Sequence, residues 1–567
     1  MPKLRWWTLL SVLVIAFAAF AAACGGDDDD GGDGGGDDGG STYDASKAGG
    51  DITIQSLEFE SFDPHFSSFA QDLMHEKQVF RGLYQLDKEN NPRPEMAAAD
   101  PEISADGKTY TIKLKDGLTW SDGTALTAQD FVLGFERTCN YLIAGGYQYV
   151  ISNVVGCDEY YDAEANADKS DAEIQALRDG LGVKAIDDQT LEIQLETAQP
   201  TFTLILTMWP TWPIPSHIIS DPAAEWPAPT DLVFNGPFKV ESYSPGESMV
   251  FVRNDAYKGS HLAYLDKVTF RYIDDSAVAD DAFRNGELQM ALVDSTQFQV
   301  LQSEFPDEFM HVAAANTIGL QMQMEKAPLD NLDVRTALAR AIDRNTLNDS
   351  VLQGAQYPTT TWIPADVAGI DPTTFDSVIG YDPEAAKQHL ADAGYPNGEG
   401  FPALTILIRD SAANKALAEF LQGQYKEVLN IDIKIEIVDA PTRSQRFRDE
   451  DFELYPGGWG QDYPDPENWI IGLYDTGGGL NHYNCSMPEI DSLVKAAQYN
   501  TNNEERKQQY RDINKLIVEN SCGITPIYHR ANNYLVSSKL GGAQEFSTSN
   551  DFVLAADWIS EEWYLKK

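Results

Sequence analysis

The chain has 567 residues, with 89 acidic against 41 basic side chains and a formal charge of −48. Hydrophobic residues at 43% and aromatics at 11% exclude a disordered chain, and the length implies about three or four core-forming units. So few Lys and Arg exclude electrostatic binding of nucleic acid or anionic lipid, and the surplus of carboxylates reads as a solvated surface.

Residues 1–7 carry Lys3 and Arg5 and no acid, and residues 8–23 are apolar or small, ending Ala21-Ala22-Ala23 before Cys24. That order describes an export signal, and 16 residues fall short of the about 20 that a membrane helix needs. The Cys after the small residues resembles a bacterial lipoprotein signal, although Ala21 stands where that signal prefers Leu. The resemblance implies removal of 1–23 and lipidation of Cys24, anchoring the protein to the outside of a bacterial cell membrane. An ordinary cleaved signal or a single membrane anchor is the alternative. Residues 25–40 are nine Gly and seven Asp, which cannot bury apolar surface and repel one another. Residues 24–49 are therefore expected to form a disordered tether.

In the body, 51–54 reads as a first strand, and 72–83 has helical apolar spacing. Residues 110–114 alternate and end at the Asp116-Gly117 turn. Thr127 with Asp130 three places on opens a helix to about Arg137 in the manner of a capping box. A short helix at 172–180 precedes a hairpin of 183–186 and 190–195. A second hairpin, 238–243 and 249–253, turns at Pro245-Gly246. A strand at 268–273, a helix at 280–285 and a strand at 290–293 follow. Residues 332–348 read as one strong helix. Asp382 is the expected N-cap of a helix over 383–393 with Pro383 at its first position. Then come a strand at 405–408, a helix at 414–429, a strand at 431–438, an amphipathic helix at 504–520 and a strand at 524–528. The mixture predicts the α/β class, with no short-period repeat.

Catalytic signatures are missing. There is no G-x-S-x-G and no P-loop. His75-Glu76 is followed at position 79 by Val rather than the second His of a zinc site. Ser492 to Lys495 matches S-x-x-K, but no K-T-G follows, and the run reads as an amphipathic helix. No enzyme activity, cofactor or metal is expected. Cys139, Cys157, Cys485 and Cys522 remain once Cys24 is set aside, and four cysteines in an exported protein suggest two disulfides. Three pairings are open. The local one, Cys139–Cys157 and Cys485–Cys522, is expected. Zinc is the lesser alternative, since no C-x2-C spacing occurs.

Six stretches, in order, resemble the family 5 extracellular solute-binding proteins, the peptide-binding lipoproteins of ABC importers. They are Ser61-Phe62-Asp63-Pro64-His65; the block 110–137, YTIKLKDGLTWSDGTALTAQDFVLGFER; and Asn235-Gly236-Pro237-Phe238 with Arg253-Asn254 and Tyr264-Leu265-Asp266-Lys267-Val268. The others are Asp333-Val334-Arg335 through Ala341-Ile342-Asp343-Arg344; Gly458-Trp459-Gly460-Gln461-Asp462-Tyr463-Pro464-Asp465-Pro466; and Pro526-Ile527-Tyr528.

The resemblance implies a monomer of two lobes around a cleft, joined by two crossing strands, that presents its ligand to membrane permease subunits. Lobe one is expected at 50–316 plus 534–567, with an extra subdomain over about 80–200, and lobe two at 317–533. The crossings fall near 316–318 and 531–533. It further implies that Asp462 takes a peptide's α-ammonium group, with Trp459, Gly458, Gly460 and Tyr463 beside it, Tyr147 in the cleft, and Phe69 and Ala70 at an edge that pairs with peptide backbone. Arg409 and Asn414 fall where the family lines its pocket. Pro456 and Leu352 stand where peptide binders carry Arg and Lys, with Arg409, Arg446 or Arg448 as substitutes. A nickel chelate, haem or oligosaccharide is the alternative ligand, with His482 the candidate for a metal complex, and a surface sensor or adhesin is the alternative role.

Overall fold

Alternating burial along short strands builds one large sheet of 11 strands in the computed structural model, which describes residues 43–87, 89–543 and 560–567. The export signal, Cys24 and the Gly/Asp run lie outside the described residues. The strands are β1 Asp51–Ser56, β2 Phe238–Ser244, β3 Ser248–Arg253, β4 Lys267–Tyr272, β5 Met290–Leu292, β6 Phe309–Met322, β7 Tyr357–Pro358, β8 Leu404–Arg409, β9 Ile433–Val438, β10 Leu454–Gly460 and β11 Ile524–Val536. Their order is β9-β8-β10-β6-β11-β5-β1-β4-β3-β2, and β7 pairs with β11 off this path. Period-two burial sets the register. Phe251 lies opposite Val268 and Met249 opposite Phe270, and all four side chains are fully buried.

The sheet carries two lobes, and β6 and β11 join them. At one end β11 pairs with β5, placing Val536 against Met290. Towards the other, β6 pairs with β10 from Asn316 to Met322. Between these regions the β6–β11 register breaks. Ala313 faces Ala531 and Thr317 faces His529, so Ala314, Ala315 and Asn316 stand opposite the single residue Arg530. A separate four-stranded sheet, covering Glu102–Ile103, Thr109–Lys113, Thr190–Gln194 and Val183–Asp187, forms the extra subdomain layer.

Five helices matter below: α1 Ala70–Val79, α2 Ala128–Thr138, α3 Ala412–Leu429, α4 Ala440–Arg448 and α5 Asn503–Glu519. The capping box of α2 forms, with the Asp130 carboxylate accepting from the Thr127 N–H at 2.8 Å. Helix α1 ends four residues before the expected Leu83. The expected single helix over 332–348 is broken. It runs Leu332–Arg340, and a fresh turn starts at Arg344, capped by Asp343, whose carboxylate accepts from the Thr346 N–H. The break brings the Arg344 guanidinium into the core, where it donates to the Pro526 and Ile379 carbonyls at 2.9 Å each.

The disulfides are Cys139–Cys157 and Cys485–Cys522, the expected pairing. Among the described residues, packing against the body extends ahead of residue 50, as far as Tyr43. Tyr43 stacks on Tyr264, Lys47 lies over the Tyr564 ring, and the Gly49 N–H donates to the Tyr264 carbonyl. The last residues of the expected tether are therefore docked.

Candidate functional site

Strand β10 reads Leu-Tyr-Pro-Gly-Gly-Trp-Gly, a composition that suits a turn better than a strand. It is held extended by β6. Gly458 is required there, because a Cβ at that position would stand 1.7 Å from the Thr317 carbonyl oxygen. Gly460 ends the strand opposite Asn316. On its other side β10 pairs with β8 only through Leu454 and Ile406. Among the described residues, no strand covers that edge from Tyr455 to Gly460.

Asp462 lies two residues beyond this edge, half-buried. Its backbone N–H donates to Asn468 Oδ1 at 2.8 Å, and the Trp459 indole N–H donates to the same oxygen at 3.1 Å. Asn468 Nδ2 donates back to Asp462 Oδ2 at 3.1 Å, and the Tyr147 hydroxyl donates to it at 3.3 Å. Both bonds fall on one oxygen. Asp462 Oδ1 has no hydrogen-bond partner, and no ion pair reaches the carboxylate among the described residues. Burial pushes this carboxyl up to about 7, against the pull of Asn468, Lys77 and Tyr147. It borders a cavity of about 40 Å³ whose walls include Lys77, Arg81, Met208, Trp209 and Trp212.

Tyr147 packs at 4.6 Å from the Trp209 ring and lies nearly parallel to Trp459 at 6.3 Å. Thus Tyr147, Trp459, Gly458, Gly460 and Asp462 come together. Tyr463 does not open onto them. It is 1% exposed in the core, with its hydroxyl donating to Glu467 at 3.4 Å. Phe69, extended, precedes α1, and the exposed Ala70 is the first residue of that helix. Phe69 lies under the Arg448 guanidinium at 5.8 Å.

A basic group occupies the far end of the β10 edge. Arg443 lies over the Tyr455 ring at 3.7 Å and donates to the Pro456 carbonyl. Arg409, Arg443 and Arg448 all act on the Tyr455 hydroxyl electrostatically. Arg446 is engaged elsewhere, with Glu436 and Asp451. Asn414 sits in the first turn of α3, its N–H bonded to the cap Ser411. Leu352 is buried in a lobe core. His482 stacks edge-on to Phe447, and no group of metal-ligand side chains forms around it among the described residues. Sequence reasoning missed Asn468, Trp209, Arg443 and Arg530. Asn468 lies six residues after Asp462, just past the recognisable motif, and the others lie farther from it in sequence.

Two lobes joined by paired strands, with a half-buried carboxylate beside an open strand edge, match the architecture of a solute-binding protein. Residues 91–481 match the family described as bacterial extracellular solute-binding proteins, family 5, middle region, and the chain belongs to that family. It is 28% identical to a probable deoxycholate-binding periplasmic protein of Escherichia coli K12, over 86% of this chain and 88% of that protein. It is 27% identical to the periplasmic oligopeptide-binding protein OppA of Salmonella typhimurium LT2, over 86% and 88%. It superposes on the structure of Haemophilus influenzae OppA in complex with RPPGFSPFR with a TM-score of 0.80 at 25% identity, covering 91% of this chain and 99% of that one.

Proposed function

We propose that the protein captures peptides in the cleft between its lobes, as the extracytoplasmic component of an ABC importer, and performs no catalysis. The observation that carries this reading is the uncovered β10 edge ending at Asp462 Oδ1. An extended peptide laid antiparallel on that edge satisfies its backbone groups as an added strand does, and brings its α-ammonium to the carboxylate. The lobes divide at 316–318 and 531–533, so that closing on ligand joins both surfaces and presents a form that permease subunits recognise. The deoxycholate-binding relative favours one second reading, a non-peptide carboxylate ligand on the same scaffold.

Calorimetry on four combinations tests the peptide reading: free and N-acetylated peptide against wild type and Asp462→Asn. Loss of the ammonium partner costs roughly 3–5 kcal/mol, a weakening of about 100-fold or more. Acetylation and substitution together should cost little more than either alone. Equal binding of free and acetylated peptide to wild type rejects the anchor and favours the second reading.

The membrane attachment proposed through Cys24 rests on the order basic, apolar, small, Cys. Cys24→Ala should move the protein from the membrane to the soluble fraction, and retention of the variant in the membrane would replace lipidation with an uncleaved anchor.

A further inference from the structure

Acids outnumber bases by 89 to 41 in this chain, so an arginine without a carboxylate is against the odds. Yet the side chains of Arg409 and Arg530 make neither a hydrogen bond nor an ion pair among the described residues. The other described arginines are all engaged with carboxylates, carbonyls or amides. Arg443 and Arg448 also lack ion pairs, and the Arg443 Nε–H is buried without an acceptor.

These four belong to one neighbourhood. Arg409 ends β8, Arg443 and Arg448 lie on α4, and Arg530 sits on β11 opposite the bulge of β6. Arg530 and Arg443 feel the charge of Arg409, and burial together with Arg530 lowers the pKa of Arg409. Tyr455 presents to Arg443, Arg409 and Arg448 a hydroxyl with no hydrogen-bond partner among the described residues. From the other lobe Asp274, Asp294 and Glu60 face this group without pairing to it. Asp294 is occupied by the N–H and hydroxyl of Thr296.

Strand β10 runs from this basic end to Asp462. Tyr455 and Asp462 are seven positions apart, which is roughly 20 Å in extended chain. Building on the peptide reading above, we infer that the ligands are acidic peptides, whose side-chain carboxylates in the fourth to sixth positions fill the space between Arg409, Arg530 and the Tyr455 hydroxyl. The chain's overall negative charge does not oppose this, because charges beyond about 8–10 Å are screened at physiological salt and the nearest charges decide.

The test uses two hexapeptides, both with a free amino terminus and an amidated carboxyl terminus, carrying three glutamates or three glutamines at positions four to six. Amidation removes the terminal carboxylate, so only side chains differ. Wild type should bind the glutamate peptide about tenfold more tightly or better, the scale of one charge-assisted hydrogen bond, with a smaller advantage at high salt. In R409Q/R530Q the ratio should fall to within about twofold. A ratio measured within one protein is insensitive to the fraction folded. Equal binding of the two peptides to wild type overturns the inference while leaving the peptide reading intact, as does a preference that survives in the double variant. Failure of both peptides to bind overturns the peptide reading and this inference with it.

Discussion

Asp462 gives the site a dependence on pH whose sign follows from its surroundings. Burial holds it protonated up to about 7, against an ordinary 3.8. A ligand ammonium at Oδ1 favours the charged form and pulls the pKa back down. Between about pH 4 and pH 7, binding must therefore expel a proton, and affinity should fall by up to about tenfold for each unit below 7. Calorimetry in buffers of different ionisation enthalpy reads the proton directly. A released fraction near one at pH 5.5, falling to near zero at pH 8.5, is expected, and no release at pH 5.5 would separate Asp462 from the ligand. The motif around Asp462 was legible because Gly-Trp-Gly-Gln-Asp-Tyr is contiguous. Asn468 was not legible, because its part depends on the 3-10 turn at Pro466–Trp469 folding it back onto Asp462 and Trp459. Arg530 was hidden for a similar reason, since Arg409, whose charge it feels, ends β8 far away in sequence.

Helix α1 carries two buried acids one turn apart. Asp72 accepts from the Glu60 N–H at 2.7 Å, but its Oδ2 has no partner, and burial raises its pKa to about 7. Glu76, bonded to the Ser67 hydroxyl at 2.6 Å, is raised as well, by burial first and then by Asp72. A carboxyl raised in the folded state contributes stability below its unfolded pKa, and that contribution is lost as pH rises through the folded value. Asp72 alone should withdraw up to about 4 kcal/mol between pH 4 and pH 7. Urea unfolding should then find Asp72→Asn more stable than wild type at pH 8 and no more stable at pH 4. A variant less stable at pH 8 would mean that the charge is compensated. At this scale the sequence was readable where local chemistry decides the element, as in the α2 capping box and the hairpin of β2 and β3. It failed for β6 and β10. Ala313-Ala314-Ala315-Asn316 and Pro456-Gly457-Gly458 have low strand preference, and only pairing between the two strands and β11 extends them. The helix expected over 332–348 failed because the Asp343 side chain accepts from the Thr346 N–H and caps a new turn, an option that apolar periodicity does not register.

Across the whole molecule, the contacts that bridge 199–201 and 465–506 should govern closure. The Glu467 carboxylate accepts from Gln199 Nε2 and Thr201 Oγ1 at 3.0 Å each, and from Arg506 at 2.5 Å. Under the proposed division, Gln199 and Thr201 belong to lobe one, and Glu467 and Arg506 to lobe two. Opening would strip Glu467 of two donors while Arg506 stayed with it. The donors thus favour the closed form without touching the β10 edge or Asp462. A ligand that binds only the closed form loses apparent affinity in proportion to the closed population. Each hydrogen bond to a charged group is worth about 1.5–3 kcal/mol, and water replaces part of it on opening. Thr201→Val with Gln199→Leu should therefore weaken peptide binding by about 5–30-fold, almost all of it as faster dissociation. Small-angle scattering should show the unliganded double variant more extended than unliganded wild type, with both contracting to the same radius at saturating peptide. Unchanged dissociation together with unchanged scattering would mean that Gln199, Thr201 and Glu467 move as one body, and the lobe boundary would then have to pass elsewhere.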